Sequence, residues 1–230
     1  MIDTLAGLPL IAQNLTVSED VNSMNRETRW WWIRHAPVTS HAGLIYGQQD
    51  VPADFTETSA AVAALAGALP RAPVLIASDL RRAAETASAI AAAGVDWKKS
   101  ESEAAFREQH FGGWQGLSTY ALAELRDGLS HSGWLAPAFE RPPGGESFAD
   151  VIARVVPAVI HRTAEYVGQD IVAVAHGGSI RAAIAYALGI DAEAALAFTL
   201  DNLSLTRLDH IETNDDAGVW RIVCINRVSS

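Results

Sequence analysis

The stretch that most constrains this chain is an apolar run with an abrupt polar end. Trp30-Trp31-Trp32-Ile33 runs directly into Arg34-His35 and is followed by Ala36-Pro37-Val38. A continuous rather than alternating apolar run predicts a strand buried on both faces, the environment of a parallel sheet covered by helices. The carboxyl ends of such strands are where open α/β sheets build their sites. Two readings of the polar end stand at this point: a satisfied core histidine beside a snorkelling arginine, or two groups delivered into a cleft.

The design recurs twice. Val74-Leu75-Ile76-Ala77 is a short apolar strand that ends in Ser78-Asp79-Leu80-Arg81-Arg82 and turns into a helix running to about Ala93, closed by Gly94. Ile171-Val172-Ala173-Val174-Ala175 ends in His176-Gly177-Gly178-Ser179-Ile180-Arg181 and launches a helix through Leu188. Between the first two strands, the alanine-rich segment Thr56 to Leu69 predicts a right-handed crossover helix with Thr56 or Thr58 as N-cap. Ser147 is the predicted N-cap of a long helix from about Phe148 to Val167, bent at Pro157. Tyr120 to Leu129 and Asp191 to Phe198 read as shorter helices. Ser204 to Asp209 and Val219 to Ile225 read as closing strands around a polar turn at Asn214 to Gly218.

The pattern specifies an α/β fold, a three-layer sandwich with a mostly parallel central sheet flanked by helices. The 230 residues fit one domain, residues 29–230, preceded by an N-terminal extension, residues 1–28. That extension carries a short amphipathic segment around Leu5 to Leu15, suited to lie on the domain or on a neighbouring subunit of a homodimer, and Met24 is an alternative start. A net charge of −10 argues against nucleic acid as a partner, since phosphate backbones need a basic face. No apolar run is long enough to cross a bilayer, so no membrane role is expected. Cys224 is the only cysteine, which excludes an intrachain disulfide; it reads as a buried, inert thiol in a cytoplasmic chain.

Several side chains gain meaning from their company. Arginines in the first turn of a helix oppose its dipole, so Arg81-Arg82 either holds an anion there or is a solvated surface pair. Glu108 sits among Phe106, Phe111 and Trp114 and close to three glycines, as a semi-buried acid whose pKa desolvation would raise toward general-acid use, or as a surface glutamate beside core aromatics. The loop Thr39 to Asp54 is expected to line the pocket, with Trp134 and Phe139 as lid or wall. A nucleophile elbow Gly-x-Ser-x-Gly would need glycine where Arg181 stands. Walker, dinucleotide and zinc spacings are absent, so no cofactor or metal is expected. Two strand-end histidines, strand-end arginines and an acid on a glycine-rich loop suit phosphoryl transfer, with guanidinium groups meeting the charge on the transferring group.

These segments occur in order over Trp30 to the C-terminus: Arg34-His35, Ser78-Asp79-Leu80-Arg81-Arg82-Ala83-Ala84-Glu85-Thr86, Glu108 with Phe111-Gly112-Gly113-Trp114-Gln115-Gly116, Gly144-Gly145-Glu146-Ser147 and Ala175-His176-Gly177-Gly178. Together they resemble the histidine phosphatase superfamily, also called phosphoglycerate mutase-like. The resemblance implies that His35 is a phosphorylated nucleophile, that Glu108 is the proton donor, and that Arg34, Arg82 and His176 hold the phosphate, with Gly177 alongside. Arg82 is preferred to Arg81 because it directly precedes the alanine. The chain departs from the family where Arg-His is followed by Ala36-Pro37-Val38 instead of Gly-Glu or Gly-Gln, and His41 stands at about the place of a family asparagine. Gln48, Thr39 or the Gly47 amide are the candidates to make the missing contacts. The segment Tyr46-Gly47-Gln48-Gln49-Asp50-Val51-Pro52 is similar to a loop of some α-ribazole phosphatases. The expected activity is hydrolysis of a small phosphorylated metabolite without metal; a phosphoglycerate mutase and a catalytically inactive binding module are the alternatives.

Overall fold

The computed structural model describes residues 26–125, 134–213 and 218–228. The amphipathic segment and alternative start expected within residues 1–25, the end of the helix expected to reach Leu129, and positions 214–217 of the polar turn lie outside them.

Six strands form one sheet: β1 (Glu27–Arg34), β2 (Val74–Ala77), β3 (Lys99–Ser102), β4 (Asp170–Ala175), β5 (Leu205–Ile211) and β6 (Val219–Arg227), in the order β3-β2-β4-β1-β5-β6. The first four are parallel, while β5 and β6 add antiparallel pairs. The helices are α1 (Ser59–Ala68), α2 (Arg81–Ala92), α3 (Thr119–Leu125), α4 (Phe148–Glu165), α5 (Gly177–Leu188) and α6 (Ala192–Leu196). The sheet is therefore mixed, flanked by helices, as the sequence pattern specifies.

Alternation along β1 sorts its residues between two cores. Trp30 and Trp32 face the same side, stacked with ring centroids 5.1 Å apart, and pack with Phe106 against the buried stripe of α4 and α5. Ile33 points the other way, into the core formed with α1 and α2. Trp30 Nε1 donates to Thr163 Oγ1 at 3.0 Å, so this buried indole is satisfied.

Local chemistry sets most boundaries. Ser147 caps α4 by accepting from the Asp150 N–H, and Asp150 returns the bond to the Ser147 N–H, a reciprocal capping box; the helix then runs through Pro157 without interruption. At α1 Thr58, one of the two expected N-caps, holds the cap position before Ser59, without a side-chain cap bond, while Thr56 lies outside the helix because its N–H and hydroxyl both donate to Asp54 in a local turn. Cys224 is half-buried rather than buried, since it lies on β6, which among the described residues is the last strand of the sheet. Phe139 is a second correction: it is 76% exposed, because its neighbour Ala138 takes the buried place and is fixed through its N–H to Glu193.

Register decides what the fold offers. Arg34 lies opposite Ala175, and Ala77 opposite Val174, so three parallel strands end level with one another. The next residue of each is His35, Ser78 and His176. β3 ends on the same edge, and the chain leaving it carries Glu108. Four segments distant in sequence thus open into one cleft.

Candidate active site

His35 is 1% exposed, and its main chain is gripped from several sides. Its N–H donates to the Ala175 carbonyl at 3.0 Å, and its own carbonyl accepts from Asn202 Nδ2 at 2.8 Å. Leu203, in the left-handed region at φ 58°, places its N–H on the Arg34 carbonyl, a strained conformation held against the end of β1. Ala36, the departure from the family pattern, is fully buried, and its N–H donates to Thr86 Oγ1 at 2.9 Å.

The hydrogen bonds of the His35 ring assign its tautomer. Nδ1 lies 2.7 Å from the Ala36 carbonyl, an acceptor only, so Nδ1 carries the proton. Nε2 accepts from Arg82 Nε at 3.3 Å and so presents a lone pair. Burial, and then the Arg82 and Arg34 charges, hold the His35 pKa well below the ordinary histidine value against the pull of the Ala36 carbonyl.

His176 is fully buried, with its ring 5.0 Å from that of His35 and its Nε2 2.8 Å from Ser78 Oγ. Its pKa is likewise well below the ordinary value, from burial first and then His35 and the nearby arginines. The two histidines give the site a pH signature. As pH falls below about 6.5, the unfolded chain takes up protons that folded His35 and His176 do not, so native stability decreases, by about 1.4 kcal/mol per histidine between pH 7.5 and 5.5. Urea midpoints measured across that window in phosphate-free buffer should fall accordingly. A flat profile would contradict the neutral, buried state of this pair.

Arg82, on the first turn of α2, is fully buried. Besides His35 it donates to the Gln49 carbonyl at 2.9 Å and the Gly47 carbonyl at 2.6 Å, and it lies over the Tyr46 ring at 5.0 Å. Arg81 points outward and pairs with Glu85 one turn on. Arg34 donates to the Leu200 carbonyl through Nη1, while its Nε is buried without a partner. The structure thus brings His35, His176, Arg34 and Arg82 together.

Glu108 approaches from the glycine-rich loop. Its Oε1 accepts from the N–H groups of Gln109 and Gly178, both at 2.9 Å. Gly178 must be glycine for this: a Cβ there would stand 2.3 Å from Glu108 Oε1. Gly177, the first residue of α5, adjoins the same space, with a built Cβ 3.8 Å from Glu108 Oε2.

The acid's backbone is positioned by residues that sequence reasoning missed. Arg154 donates to the carbonyls of Ala105, Arg107 and Glu108 and pairs with Glu146 at 2.8 Å. Glu146 in turn accepts from the His110 N–H at 2.9 Å. Gln48, expected on the phosphate, spends its amide on the Glu108 carbonyl at 2.9 Å and on Glu146, so it belongs to this scaffold. Thr39 is turned to Asp54, and His41 stacks edge-on to Tyr46 at 6.4 Å, so neither reaches His35. Gly47 contributes its carbonyl to Arg82, and it leaves little room for a side chain, since a Cβ would lie 2.9 Å from the Gln109 carbonyl oxygen on a backbone at φ 47°.

Beside this centre lies a cavity of about 580 Å³, lined by Arg34, Glu108, Gly178 and Arg181 at one end and by aromatic groups including Tyr46, Phe111 and Trp134. Trp134 is thus a pocket wall, whereas Phe139 is not. Among the described residues, no group of three or more His, Cys, Asp or Glu side chains is placed to hold a metal ion, and no helix is long and apolar enough to cross a membrane.

Parallel strands that deliver two neutral histidines between guanidinium groups, faced by a carboxyl group, define an enzyme site for phosphoryl groups. The chain belongs to the histidine phosphatase superfamily (branch 1), whose sequence profile matches residues 30–226. It is 34% identical over 174 residues to a glucosyl-3-phosphoglycerate phosphatase of Mycolicibacterium vanbaalenii, covering 72% of this chain and 76% of that one. It is 31% identical over 172 residues to a metal-independent phosphoserine phosphatase of Arabidopsis thaliana, covering 72% and 71% respectively. The native structure of a mycobacterial glucosyl-3-phosphoglycerate phosphatase superposes with a TM-score of 0.75 at 30% identity, over 87% of this chain and 99% of that one. The chain is a phosphatase by family.

Proposed function

We propose that this phosphatase hydrolyses the monoester of a small phosphorylated metabolite through a phosphohistidine on His35, without a metal. The observation that carries the reading is the state of His35: a neutral ring whose Nδ1–H is fixed on Ala36 and whose Nε2 lone pair lies beside Arg82.

The substrate phosphate enters between Arg34, Arg82 and the two histidines. His35 Nε2 attacks phosphorus, and the Arg82 Nε–H, which keeps its proton, shifts its hydrogen bond from Nε2 to a phosphoryl oxygen as the N–P bond forms. The P–O bond to the leaving group breaks while Glu108 gives its proton to the departing oxygen, from Oε2, the oxygen that holds no hydrogen bond among the described residues. The product alcohol then leaves. Glu108 next takes a proton from water, whose oxygen attacks phosphorus and expels neutral His35, so every proton returns to its starting group. Guanidinium donors spread over the equatorial oxygens meet the charge that a divalent cation would otherwise meet. The name of the Arabidopsis relative, a metal-independent phosphatase, supports that part of the reading. The names of both relatives support a small phosphorylated metabolite as substrate.

Phosphate release from p-nitrophenyl phosphate in excess EDTA tests the proposal. Turnover unaffected by EDTA is expected. A requirement for added metal would contradict it, and so would interconversion of phosphoglycerates without net phosphate release, the mark of a mutase.

A further inference from the structure

Among the described residues, three charged side chains line the cavity: Arg34, Glu108 and Arg181. In the reaction proposed above Arg34 meets the phosphate and Glu108 the departing oxygen, which leaves Arg181 without a task. It is not spent on an ion pair. Among the described residues its one hydrogen bond runs from Nε to the Phe198 carbonyl at 2.8 Å, and no carboxylate of theirs stands within salt-bridge distance. Both terminal nitrogens, with four N–H donors, are left for something else.

The position is specific. A Cβ built on Gly177 would lie 3.2 Å from Arg181 Nη1, 3.8 Å from Glu108 Oε2 and 3.9 Å from Arg34 Nε. The three groups therefore border one space beside Gly177, with Arg181 and the Glu108 oxygen assigned to the leaving group facing it from beyond ion-pairing distance of each other. This is an unfavourable place for a guanidinium: burial depresses its pKa, and the Arg34 charge adds to that against the opposing pull of Glu108. A half-buried cation with an open fork, kept beside a second cation, matches a ligand that brings an additional negative charge. The wall beyond it is largely apolar and aromatic, and among the described residues supplies no other charge to meet one.

We propose that Arg181 binds a carboxylate carried by the leaving group, so that the preferred substrates are phosphate monoesters with a carboxylate a few bonds from the ester oxygen. The planar fork takes both carboxylate oxygens, while the phosphate stays with Arg34, Arg82 and the histidines. Arg181 is then a specificity-determining residue, and its Nε bond to Phe198 fixes the orientation of the fork. This inference rests on the phosphatase reading, but it is tested by binding alone.

His35→Ala protein, which cannot be phosphorylated on His35, is titrated by calorimetry with 3-phosphoglycerate and with glycerol 3-phosphate, which share phosphate and carbon skeleton and differ in the carboxylate. The carboxylated ligand is expected to bind about 10- to 100-fold more tightly, the worth of a charge-assisted contact. Adding Arg181→Met should bring the ratio to about one, and Arg181→Lys should restore part of it. Equal affinities in the His35→Ala parent overturn the inference even if Arg181→Met fails to fold. Equal losses for both ligands in Arg181→Met overturn it too, since they mark a phosphate contact or a simple brace on Phe198. Hydrolysis of p-nitrophenyl phosphate that depends on His35, found together with a ratio of one, leaves the phosphatase reading intact and removes this one.

Discussion

His35→Ala is expected to lower kcat/KM for any phosphate monoester by at least about 10⁴-fold, the scale on which removal of a covalent nucleophile acts. The physical reason is local. His35 is the group whose lone pair the surrounding hydrogen bonds prepare: the Ala36 carbonyl takes the Nδ1 proton, and Asn202 and Ala175 fix the main chain on either side. His176 is held differently, with its Nε2 engaged by Ser78 and, among the described residues, no carbonyl fixing its Nδ1 as Ala36 fixes that of His35. The substitution removes no charge from the folded protein, since the ring is neutral, so the variant should fold and still bind phosphate through Arg34 and Arg82. Wild-type activity in a folded His35→Ala protein would remove His35 from the mechanism.

Glu108→Gln carries the second large effect, and its size should depend on the leaving group. Glutamine keeps the shape and can still accept from the N–H groups of Gln109 and Gly178, so the loop should stay in place. What it loses is the transferable proton. Nitrophenolate leaves without help, so a stoichiometric burst from p-nitrophenyl phosphate should persist at nearly the wild-type rate, followed by slow turnover as the phosphoenzyme waits for an activated water. An alkyl ester needs the proton, and its first turnover should slow by about 10²- to 10⁴-fold. Rapid-quench kinetics on both substrates make the comparison. Equal slowing of the two bursts would assign Glu108 to holding the loop and not to proton transfer.

Much of this site is legible in sequence because its signals are local. Buried parallel strands are continuous apolar runs, and the polar residue that ends each run is the next letter, so His35 and His176 announce themselves. Arg82 is legible for the same reason, being anchored to a strand-to-helix turn. The edge strand β3 is not, since Lys-Ser-Glu-Ser pairs on one side only and needs no apolar face. Arg154 is also hidden. On an amphipathic helix it has the pattern of a solvated arginine, and its targets are irregular backbone carbonyls 46 to 49 residues away in sequence. Gln48 was legible as a pocket-loop residue but not as a brace, because the bond to Glu108 joins two loops that only the fold brings together. Arg181 carries no sequence signal beyond excluding a nucleophile elbow; its interest comes from terminal nitrogens that hold no hydrogen bond among the described residues, beside Arg34 and Glu108, a neighbourhood that only the fold creates. Phe139 misleads because an aromatic near the pocket reads as wall when its neighbour Ala138 holds the buried place.

The central claim is that phosphate passes through His35, and trapping the intermediate tests it most directly. Glu108→Gln protein mixed with radiolabelled p-nitrophenyl phosphate and quenched in alkali within milliseconds should carry close to one phosphate per chain, labile to acid and stable to base, on the peptide that contains His35. The label should be absent from His35→Ala treated in the same way. Turnover with no protein-bound phosphate at any quench time, or label on another residue, would contradict the account.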